Sequence, residues 1–276
     1  MAVLATLLVY GLARLAFDVS LAQVAVTIAA ALAAQLAATR LARLPRFDPR
    51  SALISALSLC LLLRTNHLYV AAIASAIAIG SKFLVRIRGK HVFNPTNVAI
   101  VLAIAAHAAW VSPAQWGQTA VFGFVMACAG GLVVYRAMRS DVTYAFFATY
   151  VALQVGRAAW LGDPMAIPVH RLENGGLILF AFFMISDPKT TPDRRMTRIL
   201  FGALVAYVAW YIQFRTFRTN GLLWALAGLS PLVPILDRIL PGAPYVWGVA
   251  ASPRSQGGTH DAPAPVRPLP DLAPAR

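Results

Sequence analysis

Two stretches of this chain gather the residue types that could do chemistry. The first is Gly89-Lys90-His91-Val92-Phe93-Asn94-Pro95-Thr96-Asn97, in which polar side chains stand immediately before a long apolar run. The second is Ser186-Asp187-Pro188-Lys189-Thr190-Thr191-Pro192-Asp193, which follows the apolar GGLILFAFFMI. Irregular backbone beside an apolar segment is tolerated where it is buried in protein or lines a cavity. A carboxylate such as Asp187 at that depth is costly unless paired, and Lys189 is the nearest candidate partner, with Lys82 and Lys90 next. Asn94, Thr96 and Asn97 can cap a helix whose free N–H groups favour anions or polar ligands. The plain alternative for each stretch is a loop: one turning on Pro95, the other an Asp-Pro turn.

Other chemistry finds little support. Cys60 and Cys128 read as small hydrophobes, and two cysteines cannot complete a zinc or iron–sulfur set. His67, His91, His107 and His170 lack ligand spacing, so no metal site is expected. Asp163-Pro164 and His170 to Glu173 read as a solvated turn. The sequence has no phosphate loop, dinucleotide fingerprint or nucleophile elbow, which argues against a soluble-style catalytic site.

The elements that must position these residues follow from composition. The chain has 276 residues, of which 59% are hydrophobic and 12% charged, with mean hydropathy +0.67. Soluble domains carry about 25% charged residues, so this surface suits lipid better than water. The net charge of +14 does not indicate nucleic-acid binding, because the basic residues sit between apolar runs. Runs free of Asp, Glu, Lys and Arg give ten segments, about 2–17, 20–38, 51–64, 67–81, 94–111, 119–135, 142–158, 174–186, 199–214 and 220–237. With the N-terminus in the cytoplasm, fifteen of the 24 basic residues fall in inside loops, six near outside ends and three in the tail, the asymmetry that orients membrane proteins. Both termini are therefore expected inside, in a multi-pass protein of the plasma (inner) membrane. The opening MAVLATLLVYGLAR lacks a basic n-region and reads as a permanent helix. Residues 250–276, rich in Pro, Ala and Gly, read as a disordered cytoplasmic tail.

The third and eighth segments are short. Each offers 13 uncharged residues, about 20 Å of helix, where crossing takes roughly 20 residues. They hold the same place in two five-segment halves, 1–112 and 113–249, and five is odd, so the second half runs inverted. The expected fold is an all-α integral membrane protein of two inverted five-helix repeats, with a polar site between them.

The motifs also resemble a known family. SALISALSLCLLLR, SKFLVRIRGKHVFNPTN, GGLILFAFFMISDPKTTP, FGALVAYV and GLLWALAGLSPLVPILDR resemble the D subunit of Rnf-type electron-transport complexes. That subunit is similar to the B subunit of the sodium-translocating NADH:quinone reductase. The resemblance runs over about residues 50–240, and its most specific parts are K-x7-K-H-x-F-N-P and F-F-M-x-[ST]-D-P. It implies a fold like that of urea transporters, a place among other membrane subunits, and electron flow through flavin coupled to ion movement, without a catalytic site of the chain's own. It further implies FMN linked covalently to threonine in a Ser-Gly-Ala-Thr segment between the halves. Here that stretch is WVSPAQWGQTAVFGF. No such motif occurs, and Thr119 is the only nearby threonine, so the chain resembles a shortened branch and covalent FMN is not expected. Non-covalent FMN or riboflavin would then be held by Lys90, Asn94, Thr96, Asn97, Lys189, Thr190 and Thr191, with Asp187 and Asn94 serving transport. The competing reading is a stand-alone channel or transporter for an ion or small polar solute, with Asp187 binding a cation or proton.

Overall fold

The computed structural model describes residues 1–15, 17–112, 120–243 and 245; Thr119, the stretch between the halves and the tail lie outside them. Twelve helices are found among the described residues. They are α1 (Ala2–Arg14), α2 (Leu21–Leu41), α3 (Pro49–Leu62), α4 (Leu68–Leu84), α5 (Pro95–Ala105), α6 (Ala120–Arg136), α7 (Ser140–Leu161), α8 (Ala166–Leu172), α9 (Gly175–Leu179), α10 (Arg195–Arg215), α11 (Gly221–Leu229) and α12 (Leu232–Ile239). A π-helical turn, Phe180–Met184, continues α9. Two helices, α2 and α10, are long and apolar enough to cross a membrane, and the α11–α12 pair, bent by 46°, counts as a third if taken as one span.

Burial in α2 explains why the chain suits lipid. Its buried residues are Gln23, Thr27, Ala31, Gln35 and Thr39, a stripe at four-residue spacing, while Leu21 and Leu36 point outward. Polar and small groups face the protein and apolar groups face out, the reverse of a water-soluble helix. Leu200, Leu204 and Tyr207 on α10 and Tyr144 on α7 are likewise exposed. This is a helical, multi-pass membrane protein.

The larger of two hydrophobic clusters runs through α1, α3, α4, α5, α7, the α9–π segment and α10 to α12, and includes the buried Leu4, Leu59, Ile100, Phe146, Phe180 and Phe201. Around it, α2 packs on α3 and α4, and α4 on α5; α7 packs on α10, and α10 on α11.

The third segment is short for a visible reason. Asp48 caps α3 by accepting from the Arg50 and Ser51 amides, with Pro49 in the first turn. Fourteen residues give about 21 Å of helix, and the chain then turns extended. Leu63 and Arg64 pair antiparallel with Val111 and Trp110. The Gln23 amide donates to the Leu63 carbonyl at 3.1 Å, so main-chain groups freed by the end of α3 are bonded within the protein.

Three elements differ from the sequence expectation. The fifth segment, expected to run to 111, stops as helix at Ala105, because His107 takes a positive φ of 54° and the chain becomes a strand. The expected solvated turn before the eighth segment contains α8, preceded by an Arg157–Asp163 ion pair at 3.0 Å. The eighth segment itself changes from α to π after Leu179. Its loosened carbonyls are met by Thr143, which donates to Ala181 at 3.0 Å, and Ser186, which donates to Phe182 at 2.6 Å.

The α7–α10 pair depends on one absent side chain. A Cβ at Gly202 would lie 2.6 Å from the Val142 carbonyl oxygen. Gly202→Ala should therefore lower stability in detergent by about 1–3 kcal/mol, measured by thermal unfolding. Gly131→Ala, where a Cβ meets nothing within 4 Å, should not.

Candidate functional site

The two stretches singled out in the sequence meet. α5 begins at Asn94, whose Oδ1 accepts from the Asn97 amide at 3.0 Å, an ordinary cap. Its Nδ2 reaches the Met184 carbonyl and Asp187 Oδ2, both at 3.4 Å. One asparagine thus starts one interrupted segment and touches the end of another. Asn97 donates through Nδ2 to the Leu223 carbonyl at 3.2 Å, joining α11 to the same point. Asn97 Oδ1 is buried with no partner among the described residues. Thr96 donates to the Ser55 carbonyl at the long distance of 3.5 Å.

Asp187 organises its own turn. Its Oδ1 accepts from the Lys189 amide at 3.0 Å. Its carbonyl accepts from the Thr190 and Thr191 amides, each at 3.1 Å, and from both hydroxyls, at 3.3 and 3.1 Å. Burial pushes the carboxyl above the usual aspartate range, against the pull of the Lys189 amide and then of Lys82.

The lysines do not take the expected roles. The Lys189 ammonium makes no hydrogen bond or ion pair among the described residues; only its amide serves Asp187. Lys82 donates to the Ser51 carbonyl at 2.8 Å and hydroxyl at 3.1 Å, tying α4 to the start of α3. Lys90, on a hairpin in which Arg86–Ile87 pairs with Lys90–His91, reaches residues more than a hundred positions further along the chain. It donates to Asp237 at 2.7 Å, Asp193 at 3.0 Å and the Thr191 carbonyl at 2.7 Å. Asp237 in turn accepts from the Asp193 amide at 2.8 Å.

Further residues of the cluster were not picked out from the sequence. Arg139 is buried and donates to Thr191 Oγ1 at 3.0 Å. Burial, then Arg198, lowers its pKa. Arg198 forks onto Asp141, with contacts of 2.6, 2.9 and 3.0 Å. The usable signal was scarcity. Only ten residues are acidic against 24 basic, so an Asp beside a basic loop is a strong candidate for a pair, and Asp141, Asp193 and Asp237 all are.

Fit to a flavin can be judged from these donors. The polar side-chain groups of Lys90, Asn94, Thr96, Thr190 and Thr191, and the Asn97 amide nitrogen, are already bonded within the protein. The cavity beside Lys90, lined by His91, Asp193 and Asp237, measures 230 Å³, under the roughly 300–1,000 Å³ of small-molecule sites. The Lys189 ammonium is the uncommitted side-chain donor of the expected set among the described residues, so the cluster fits a flavin poorly. Among the described residues no group of three His, Cys, Asp or Glu could hold a metal ion.

The pattern of the NQR2, RnfD, RnfE family matches residues 112–245, which include Asp187, Asp193 and Asp237 and begin after Asn94. Three similar proteins are each named as the D subunit of an ion-translocating oxidoreductase complex. The Escherichia coli protein is 30% identical over 142 residues, 50% of this chain and 37% of its own length. The Shigella boydii protein is 28% identical over 180 residues, 63% of this chain and 47% of its own length. The Citrobacter koseri protein is 29% identical over 106 residues, 38% and 30% respectively. The chain thus matches less than half the length of these relatives.

His91 gives the cluster a pH signature. Burial, with Arg86, Lys82 and Lys189 nearby, lowers its pKa from 6.5 to about 4, and Nδ1 has no partner among the described residues. The unfolded chain takes up a proton near 6.5 and the folded chain only near 4, so this stabilisation holds above 6.5 and is lost as pH falls to about 4. His91→Gln should flatten the decline of melting temperature over that window. An unchanged slope would mean that His91 titrates alike in the folded and unfolded chain.

Proposed function

We propose that this chain belongs to the NQR2, RnfD, RnfE family and works as a membrane subunit of an ion-translocating electron-transport complex. The observation that carries the reading is the contact of Asn94 with Asp187, where two interrupted segments abut. A half-buried carboxyl with a raised pKa, in contact with the Asn94 amide, can exchange a proton or a cation.

Several features support two inverted halves around this point. Segments two, four and five pack in the order α2–α4–α5, and their counterparts in the order α7–α10–α11. The third and eighth segments are the short ones of each half. Interrupted segments at matching places mark the binding site of many inverted-repeat transporters. On this reading Arg40, Lys82, Lys90, Arg139, Lys189 and Arg198 lie on the cytoplasmic side, both termini are inside, and residues 250–276 form a cytoplasmic tail. Other membrane subunits would cover the outward apolar faces not met by lipid.

The redox group on this reading is a flavin, FMN or riboflavin, held without a covalent bond; it supplies one-electron transfer when bound. No place for it is assigned to the Lys90–Asp187 cluster, most of whose donors are engaged, the Lys189 ammonium excepted. The chain's own residues handle the ion: Asp187 holds or releases it, Asn94 couples Asp187 to α5, and Lys90 keeps the halves together.

Asp187→Asn tests the ion site, because asparagine still accepts from the Lys189 amide while losing the charge. In proteoliposomes of the intact complex it should cut ion movement at least about tenfold, the effect of ~1.4 kcal/mol, with melting temperature nearly unchanged. Transport at the wild-type rate would reduce Asp187 to a turn anchor. Visible flavin absorbance in the purified protein, with no fluorescent band after denaturing electrophoresis, is the expected cofactor signature. A flavin-free protein that moves ions alone would replace this reading with a stand-alone transporter.

A further inference from the structure

A cavity of about 420 Å³ lies between the end of the first half, at Leu62 and Trp110 to Ser112, and the second half. It is of small-molecule size and far larger than the space beside Lys90. Its interior is apolar, with Leu177, Phe180, Met184 and Leu223; its polar groups include Gln213, Thr219 and Asn220. One of the lining residues carries charge: Arg171. Among the described residues no carboxylate lines the cavity.

Arg171 is a half-buried cation whose charge no carboxylate answers among the described residues. It stacks 4.8 Å above the Phe214 ring. Asp163 is taken by Arg157, at 3.0 Å. Tyr150, which lines the cavity, spends its hydroxyl on Gln213 Oε1 at 3.0 Å and so adds no competing charge. A guanidinium offers a planar fork suited to carboxylate or phosphate, and a cavity whose described formal charge is positive repels free cations.

The floor of the cavity touches the ion site. Met184 and Leu223 line it, and their carbonyls are the acceptors of Asn94 and Asn97.

We propose that this cavity binds a small amphipathic anion, its carboxylate or phosphate on Arg171 and its apolar body on Leu177, Phe180 and Leu223. The anion can be a soluble organic acid or an anionic lipid head. Its apolar end rests on the residues whose main chain holds Asn94 and Asn97. The site is separate from the ion-handling role of Asp187, and a binding assay involves no ion or electron transfer, so either reading can fail without the other.

The test is titration of the full-length protein in detergent, read by the fluorescence of Trp110 at the cavity wall, with Trp110→Phe as the signal control. Phenyl phosphate should bind saturably and benzamide, its neutral counterpart, should not. Arg171→Gln should weaken binding about tenfold or more, and Arg171→Lys less. Because Arg171 also packs on Phe214, Thr219→Glu on the exposed rim provides a second variant; its added carboxylate should abolish binding in a protein that melts normally. Binding of dihexanoyl phosphatidate alone, with the same dependence on Arg171 and Thr219, would support the site and assign it to lipid. Equal binding of benzamide, saturable binding by neither anion, or affinity unchanged in Thr219→Glu would overturn the proposal.

Discussion

Where a helix stops inside an apolar bundle, the main-chain groups it releases must be bonded by the protein itself. That constraint shapes this molecule more than any single packing contact. α5 starts and the π turn ends within reach of one side chain, and Asn94 caps the first while touching the Met184 carbonyl and Asp187 of the second. Asp187 likewise gives its carbonyl to both threonines of its turn and its carboxylate to an amide. The strand pairing of Leu63 and Arg64 with Trp110 and Val111 solves the same problem at the other end of the first half. The residues with chemical potential are thus the residues that make the broken segments tolerable.

Charge scarcity does the rest. With few carboxylates, those beside the basic loops are committed: Asp141 to Arg198, Asp193 and Asp237 to Lys90. Asp187 forms no ion pair among the described residues, and burial raises its pKa. The pairing of the other three leaves the half-buried Asp187 carboxyl to titrate, the property that the proposed ion-handling role requires. Lys90 sets that division, since from its hairpin it satisfies two aspartates far along the chain, Asp193 and Asp237.

Much of this was legible in the sequence and some was not. The short third segment could be read from charge spacing, and Asp48-Pro49 explains its start. The meeting of Asn94 with Asp187 was implicit in two polar stretches flanking apolar runs. The partner of Lys90 was not, because Asp237 lies far along the chain and only folding brings it near. Nor does apolar spacing reveal the π turn, since Phe180 to Met184 would read equally well as α-helix. The buried stripe of Gln23, Thr27, Gln35 and Thr39 was present in the sequence at helical spacing, but only the fold shows that it faces inward.

The most direct test of this account is a double-mutant cycle on Lys90 and Asp237, read by chemical unfolding in detergent. Lys90→Met strands two carboxylates beside one another, so the added Asp237→Asn should recover part of the loss, with a coupling energy of about 1–3 kcal/mol. Effects that simply add, within about 0.5 kcal/mol, would contradict the claim that this shared polar junction ties the Lys90 hairpin to α12.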